Sequence, residues 1–143
     1  MPDLGERDLG TLLRTMRPVL HEPVYLFATL PAGRELPAKL RPMLQFREAE
    51  GLTVVVEREA AEAAGLAGVF PCRMITLEVH SALDAAGFLA AVATRLADEG
   101  IGVNPVAAYH HDHLFVPQDR AEDALRALHE LAAQHQTEEA PAA

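Results

Sequence analysis

The sequence predicts an α+β protein with a ferredoxin-like fold, built from two copies of one βαββαβ unit on a mixed, mostly antiparallel sheet of about six strands. First, residues 73–79 alternate apolar and polar side chains, which is typical of a half-buried strand. Second, an apolar ladder over residues 85–96 follows the spacing of one helix face. Third, two short apolar runs and another amphipathic stretch follow, which gives the order strand, helix, strand, strand, helix.

The second copy carries the clearer signals for individual elements. Ser81 and Asp84 stand three residues apart before its first helix and resemble a capping box, with Asp where Glu or Gln is usual. Gly100 and Gly102 end that helix. We then predict hairpin strands at residues 101–109 and 113–117, followed by a helix with Leu125, Leu128 and Leu131 or Ala132 on one side.

The first half of the chain repeats the same order with weaker signals. Three prolines and Gly33 within residues 31–42 predict a loop where the second copy has a full helix. The predicted elements of this half are a helix at residues 8–17, a strand at 24–30, hairpin strands at 44–48 and 52–57, and a short alanine-rich helix at 58–64. We therefore assign residues 1–68 to an N-terminal unit, 69–134 to a C-terminal unit and 135–143 to a disordered tail.

The second copy lacks its last strand, because residues 135–143 are polar and Ala-rich. The strand at residues 73–79 can serve both copies, and the strand at 24–30 then fills the vacant place beside it. Because the strand at 73–79 follows the last helix of the first copy, it can be the fourth strand of that copy and the first strand of the next. The predicted strand order is 43–48, 52–57, 24–30, 73–79, 113–117 and 101–109, with all helices on one face. Two separate sheets set edge to edge are the alternative.

Alternation along this shared strand also predicts which side chains face the helices. The inward residues are Ile75, Leu77 and Val79. The opposite face is then left bare at Met74, Thr76 and Glu78, and it is either solvated or an interface. Because an open sheet edge or a partly apolar face favours self-association, we expect a homodimer.

The composition excludes several classes of partner. The chain has 21 Asp and Glu against 12 Lys and Arg, for a net charge of -9. Such a charge repels nucleic acid and anionic lipid, so we expect neither as a partner. The single cysteine, Cys72, cannot form an internal disulfide, residues 1–7 lack the features of a signal peptide, and no apolar run reaches the roughly 18 residues of a transmembrane helix. We expect a cytoplasmic protein.

Residues 83–104 resemble the central part of an ACT domain, a small module that binds amino acids and regulates metabolic enzymes. The matching positions are Gly87, Leu89, Leu96, Gly100, Ile101 and Asn104, and Ala86 stands where ACT domains usually have Pro. The phrases at residues 46–53 and 109–117 resemble free-standing paired ACT proteins of unestablished function. The likeness covers about residues 8–134 of the chain, and it implies an amino acid ligand at the turn before the helix.

The turn at residues 80–87 is the predicted ligand site. Amides at a helix N-terminus lack intrahelical partners and can receive a carboxylate, and Gly87 lets a ligand approach the backbone. The Asp84 carboxylate competes for these amides but suits an ammonium group, which favours a zwitterion. The alternative is that Ser81 and Asp84 only cap the helix. The predicted ligand-binding residues are His80, Ser81, Ala82, Leu83, Asp84, Ala86, Gly87, Phe88 and Asn104.

A histidine-rich hairpin at residues 110–113 is the candidate for metal binding. His111 and His113 share a strand face, and Cys72 is the one plausible third ligand. We place His80 at the sheet edge opposite the hairpin turn, out of reach of this set. We favour a polar, exposed hairpin tip that binds no metal, and we expect no cofactor. Cys72, in apolar surroundings away from any helix N-terminus, is interpreted as an inert core thiol.

These patterns together predict a non-enzymatic regulatory module whose partner is a small molecule, by resemblance an amino acid. The first alternative is a purely structural dimerisation module whose ligand site has been lost. Ala86 at the usual Pro position and the degenerate first copy suggest this alternative. The second is a metal-dependent enzyme that uses the hairpin from His110 to His113. Signatures of nucleophilic, phosphate-binding or dithiol chemistry are missing from the sequence.

Overall fold

The structure, a computed structural model, describes residues 4–138 of the chain. Its elements in order are α1 (Leu9–Thr15), β1 (Arg17–Pro31), β2 (Leu44–Glu48), β3 (Gly51–Glu57), α2 (Arg58–Ala63), β4 (Val69–Glu78), α3 (Phe88–Asp98), β5 (Asn104–Ala107), β6 (Asp112–Pro117), a 3-10 turn (Gln118–Arg120) and α4 (Ala121–Glu138). The strands form one six-stranded sheet in the order β2-β3-β1-β4-β6-β5. This confirms the predicted ferredoxin-like fold and the predicted strand order, in which β4 serves both repeats.

The chain divides into two compact units that do not follow the sequence repeat. The smaller unit is Glu22–Arg73, and the larger one joins the described residues up to His21 to those from Met74 onward. Helix α1 belongs to the larger unit because it contacts α3 and α4. The boundary predicted between residues 68 and 69 refers to the sequence repeat and stays a prediction, and the compact units divide elsewhere.

The core of the larger unit lies between β4, β6 and the helices. Ile75 and Leu77 of β4 are fully buried in one cluster with Val92, Leu96 and Leu128, and Val79 packs against the same cluster, which confirms their inward direction. The expectation of a bare opposite face is wrong for Met74 and Thr76, which are only 6% and 7% exposed. Thr76 is covered because its hydroxyl lies within hydrogen-bond distance of His21 and His113.

The smaller unit is a three-stranded antiparallel sheet with a short helix. Strand β3 pairs with β1 in the register Ala28↔Val54 and with β2 in the register Phe46↔Thr53. Its core contains Leu26, Ala28, Val54, Val56 and Ala61. The connection from β1 to β2 contains turns and no helix, which confirms the loop that its prolines predict.

The last helix extends further than the sequence predicts. Helix α4 runs from Ala121 to Glu138 and so includes four residues of the predicted tail, while residues 139–143 lie outside the described part of the chain. The alanine-rich composition that argues against a strand is compatible with a helix, because alanine has the highest helix propensity. Between residues 4 and 138, no helix combines the length and the apolar character that crossing a membrane requires.

Candidate functional site

A buried hydrogen bond joins the turn after β4 to the β5–β6 hairpin in the larger unit. The Ser81 hydroxyl donates to a carboxylate oxygen of Asp112 over 3.0 Å. Both residues are buried, at 7% and 5% exposure. Asp112 is the first residue of β6 and pairs with Ala107 at the end of β5. The hairpin therefore places a carboxylate beneath the turn that leads into α3.

A cavity of about 110 Å³, which we call the Ser81–Asp112 cavity, lies at this junction. It is formed by the turn, the first residues of α3 and the end of the hairpin. Of the nine predicted ligand-binding residues, the cavity brings together Ser81, Ala82, Leu83, Gly87 and Phe88. Its other lining residues are Ala85, Leu89, Ala90, Ala107 and Asp112.

Helix α3 begins without a side-chain cap, so the predicted capping box is wrong. The N-cap is Gly87, whose backbone is left-handed at φ +93°. Glycine adopts a positive φ at little energetic cost because it has no Cβ. No side chain caps α3 by hydrogen bonding at this residue. The Ser81 hydroxyl binds Asp112 instead, and Asp84 forms an ion pair with Arg7. The first turn of α3 is consequently open toward the cavity that Gly87 and Phe88 line.

The N-terminal segment before α1 docks onto the same turn. The Glu6 amide donates to the His80 carbonyl, and the Ala82 amide donates to the Glu6 carbonyl, each over 2.8 Å. Gly5 allows this approach, because a Cβ at its position would lie 2.8 Å from backbone atoms of residues 80–82. Arg7 then makes two hydrogen bonds to Asp84, of 2.9 and 3.0 Å. The guanidinium of Arg7 lowers the pKa of the Asp84 carboxyl below its ordinary value.

A second, shallower depression of about 210 Å³ lies beside the cavity and shares Leu83 with it. Its other lining residues are Leu4, Arg7, His80, Asp84 and Tyr109. The prediction that His80 lies opposite the hairpin turn is wrong, since its ring centroid is 5.6 Å from that of His110. The end of β4 meets the start of β6, as the Ser81–Asp112 hydrogen bond shows, and His80 therefore lies beside the turn.

The remaining predicted ligand residues lie outside the Ser81–Asp112 cavity. Ala86 is exposed on the turn, and Asp84 and His80 line the second depression instead. Asn104 is exposed at the first position of β5, opposite Phe115, whereas the cavity lies at the other end of that strand, at Ala107. Sequence reasoning missed five lining residues of the cavity: Ala85, Leu89 and Ala90 beside or within the start of α3, and Ala107 and Asp112 of the hairpin. The signal for Asp112 was its place at the first position of a strand otherwise rich in apolar residues.

Electrostatics at the junction centre on Asp112. Burial raises the pKa of its carboxyl, while the hydrogen bond from Ser81 and the nearby His113 and His111 act in the opposite direction. Burial also lowers the pKa of His113, with further contributions from His111 and His21. A carboxylate that is poorly solvated in this way is stabilised by any cation that reaches it.

The histidines nearby form a hydrogen-bonded network. Thr76 Oγ1 lies 2.8 Å from His21 Nε2 and 2.9 Å from His113 Nδ1. Because the hydroxyl carries one proton, at least one of these imidazoles must donate an N–H. Across residues 4–138, no three His, Cys, Asp or Glu side chains gather as a metal-binding group. The structure therefore does not assemble the alternative set of Cys72, His111 and His113.

Cys72 is a buried residue of β4 and does not precede the strand as predicted. Its thiol donates a weak hydrogen bond of 3.4 Å to the Tyr25 carbonyl. Burial raises its pKa to about 12. The thiol is therefore protonated at neutral pH, which confirms the interpretation of an inert core cysteine.

Comparison with known proteins identifies two tandem matches. Two family models, each described as an ACT domain, match residues 4–73 and residues 69–130. A Vibrio cholerae protein of unknown function, described as a possible transport protein, is 45% identical over 87% of this chain and 95% of its own, with a TM-score of 0.79. No curated protein matches the sequence.

More distant solved structures share the fold. An Agrobacterium tumefaciens protein is 21% identical over 82% of this chain and 89% of its own, with a TM-score of 0.70. The regulatory subunit of aspartate kinase from Thermus flavus is 14% identical over 80% of this chain and 95% of its own, with a TM-score of 0.58. At these identities the likeness concerns the architecture of the chain.

Proposed function

Because this chain belongs to the ACT-domain family, we propose that it is a non-catalytic regulatory module that binds a small zwitterionic amino acid in the Ser81–Asp112 cavity. ACT domains are typically regulatory and bind small molecules such as amino acids. The aspartate kinase regulatory subunit from Thermus flavus shares the fold and is itself a regulatory chain. The ligand and its position are our inference for this protein.

The observation that carries the proposal is that buried Asp112 and the uncapped first turn of α3 line the same cavity. A ligand ammonium would offset the poor solvation of that carboxylate. The free amides and the dipole of the helix N-terminus would receive the ligand carboxylate. A zwitterion can bind both Asp112 and the N-terminus of α3. A simple anion can bind only the helix N-terminus, and the Asp112 carboxylate repels it.

The size of the cavity limits the ligand. About 110 Å³ is the room of roughly four water molecules at ~30 Å³ each. That space suits the ammonium, α-carbon and carboxylate of a small amino acid. A larger side chain would have to extend past Leu83 toward the second depression, where Arg7 and Asp84 already form an ion pair.

The proposal is tested by calorimetry and thermal shift with the twenty amino acids and with matched analogues. L-Alanine is compared with propionate, which lacks the ammonium group, and with ethylamine, which lacks the carboxylate. We expect small zwitterions to raise the melting temperature. At a concentration 100 times the dissociation constant, the free energy of unfolding should increase by about 2.7 kcal/mol. Neither analogue should do so. Equal shifts by alanine and propionate, or no shift with any amino acid, would contradict the proposal.

A role in assembly is the second candidate function, and one surface favours it. The edge strand β2 presents Phe46, which is 65% exposed, and Met43 just before that strand is 49% exposed. Large exposed apolar side chains on a strand at the edge of a sheet favour association with a second copy. We propose a homodimer formed along this edge.

Replacement of Phe46 by Glu should therefore shift the protein from dimer to monomer in size-exclusion chromatography with light scattering. The new charge would have to be buried in the interface at a high energetic cost. The matched control is Gln45→Glu, which adds the same charge to the same strand and should leave the dimer intact. A wild-type protein that is monomeric at micromolar concentration would rule out this assembly.

A further inference from the structure

A concavity of the smaller unit lies where β1 ends, beside the β2–β3 hairpin. Its volume is about 630 Å³. Two arginines line it, Arg34 from the loop after β1 and Arg47 from β2, together with Gln45 and Glu48. Neither the sequence motifs nor the proposed amino acid site accounts for this arginine pair.

A turn after β1 and the pairing of β3 with its two neighbours form the backbone around the concavity. Gly33 has a left-handed backbone at φ +86°, and the Arg34 amide closes the turn by donating to the Pro31 carbonyl over 3.0 Å. Pro31 and Glu48 both pair with Gly51, so the end of β1 and the end of β2 flank the start of β3. Two strand spacings separate them, about 10 Å in all, which two arginine side chains can span from opposite sides.

Neither arginine of the concavity has a side-chain partner among the described residues. Within residues 4–138, Arg34 and Arg47 make neither a side-chain hydrogen bond nor an ion pair. Glu48, the one carboxylate among the described residues that line the concavity, accepts a hydrogen bond from the Thr53 hydroxyl. Two guanidinium groups against one carboxylate leave a net positive charge, in a chain whose net charge is -9.

The internal repeat gives a second reason to regard this concavity as a site, and this reason rests on the proposed amino acid site. In the larger unit, the Ser81–Asp112 cavity lies between the segment that follows the first strand of its repeat and the turn of the hairpin. The concavity of the smaller unit occupies the same position in its own repeat, after β1 and beside the β2–β3 turn. The first cavity offers a buried carboxylate, and the second offers two arginines.

We propose that Arg34 and Arg47 form a second binding site, which takes a small metabolite that carries a carboxylate or phosphate group. Guanidinium groups bind both oxyanions through paired N–H donors in a fixed geometry, and Gln45 can donate a further hydrogen bond. The site goes beyond the proposed amino acid site, uses none of its residues and selects ligands by the opposite charge.

The test uses the full chain with sodium phosphate and with succinate as separate probes, followed by backbone amide NMR and calorimetry. We expect amide shifts that saturate and are concentrated at Gly33, Arg34, Arg47 and Gly51. Either single substitution, Arg34→Gln or Arg47→Gln, should weaken binding at least ten-fold, and the double variant should abolish it. Binding should also weaken as the salt concentration rises. The two probes distinguish a phosphate ligand from a carboxylate ligand.

Arg41→Gln is the matched control, because Arg41 is an exposed arginine of the same unit that does not line the concavity. It removes the same charge and should bind each probe as the wild type does. Equal weakening by Arg41→Gln, or scattered shifts that do not saturate with either probe, would overturn the proposal. Asp112→Asn should leave oxyanion binding intact, so failure of the amino acid site and failure of this site are distinguishable.

Discussion

Replacing Gly51 by Ala is expected to destabilise the smaller unit by about 3 kcal/mol, because there is no room for a side chain where β3 begins. A Cβ at this position would lie 2.2 Å from the Leu30 carbonyl oxygen and 3.2 Å from the Leu30 carbonyl carbon. Both are backbone atoms of the paired strand β1, so no rotation of a side chain relieves the overlap. The strands must separate at Pro31↔Gly51 and lose ladder hydrogen bonds.

Urea unfolding gives the free energy of unfolding of this variant, and Gly65→Ala is its control. Gly65 lies in the same unit and also has a positive φ, +68°, but a Cβ there would meet nothing within 4 Å. That control should lose only the backbone strain of a left-handed alanine, about 1 kcal/mol. The difference between the two variants therefore measures the overlap at the sheet. Equal losses would mean that β1 and β3 separate without cost.

The strand order could be predicted because it depends on local pattern and on one topological rule. Alternating apolar residues identify the strands. Helix α3 shares a buried cluster with β4 through residues such as Val92 and Leu96. A ferredoxin-like unit places its fourth strand beside its first. Since β4 follows the first repeat and opens the second, the six-strand order follows from the sequence.

The start of α3 could not be predicted because its competing partners are distant in the sequence. Ser81 and Asp84 have the spacing of a capping box, but Asp112 and Arg7 bind them instead. Arg7 and Asp84 are 77 positions apart. A local motif cannot reveal that a tertiary partner offers a stronger, charge-assisted hydrogen bond than a helix amide does.

The misplacement of His80 has a different cause, the direction of neighbouring strands. The sequence predicts that β4 and β6 are neighbours, but the local pattern does not show which of their ends meet. His80 and Ser81 at the end of β4 in fact meet His110 and Asp112 at the start of β6. Asp112 is hidden from sequence analysis for the same reason, because an acidic residue among histidines is typical of an exposed hairpin tip.

Replacing Asp112 by Asn should weaken amino acid binding by about 10- to 100-fold while leaving the fold intact. The loss corresponds to a charged hydrogen bond of about 1.5–3 kcal/mol between the ligand ammonium and the carboxylate. Asn keeps the size of the side chain and an oxygen that can accept from the Ser81 hydroxyl. Asp119→Asn, which removes an exposed carboxylate outside the cavity, should bind the same amino acid as the wild type does.

The pH dependence distinguishes a binding role of Asp112 from a structural one. Because burial raises its pKa in the folded protein, the folded state favours the protonated acid. The free energy of unfolding of the ligand-free protein therefore loses this contribution as the pH rises from the ordinary carboxyl pKa through the raised one, and Asp112→Asn should be at least as stable at neutral pH. An ammonium ligand requires the ionised form, so wild-type affinity should fall as the pH is lowered through the raised pKa. The affinity of the variant should stay flat over that range, and a variant that binds like the wild type at neutral pH would show that the ammonium is recognised elsewhere.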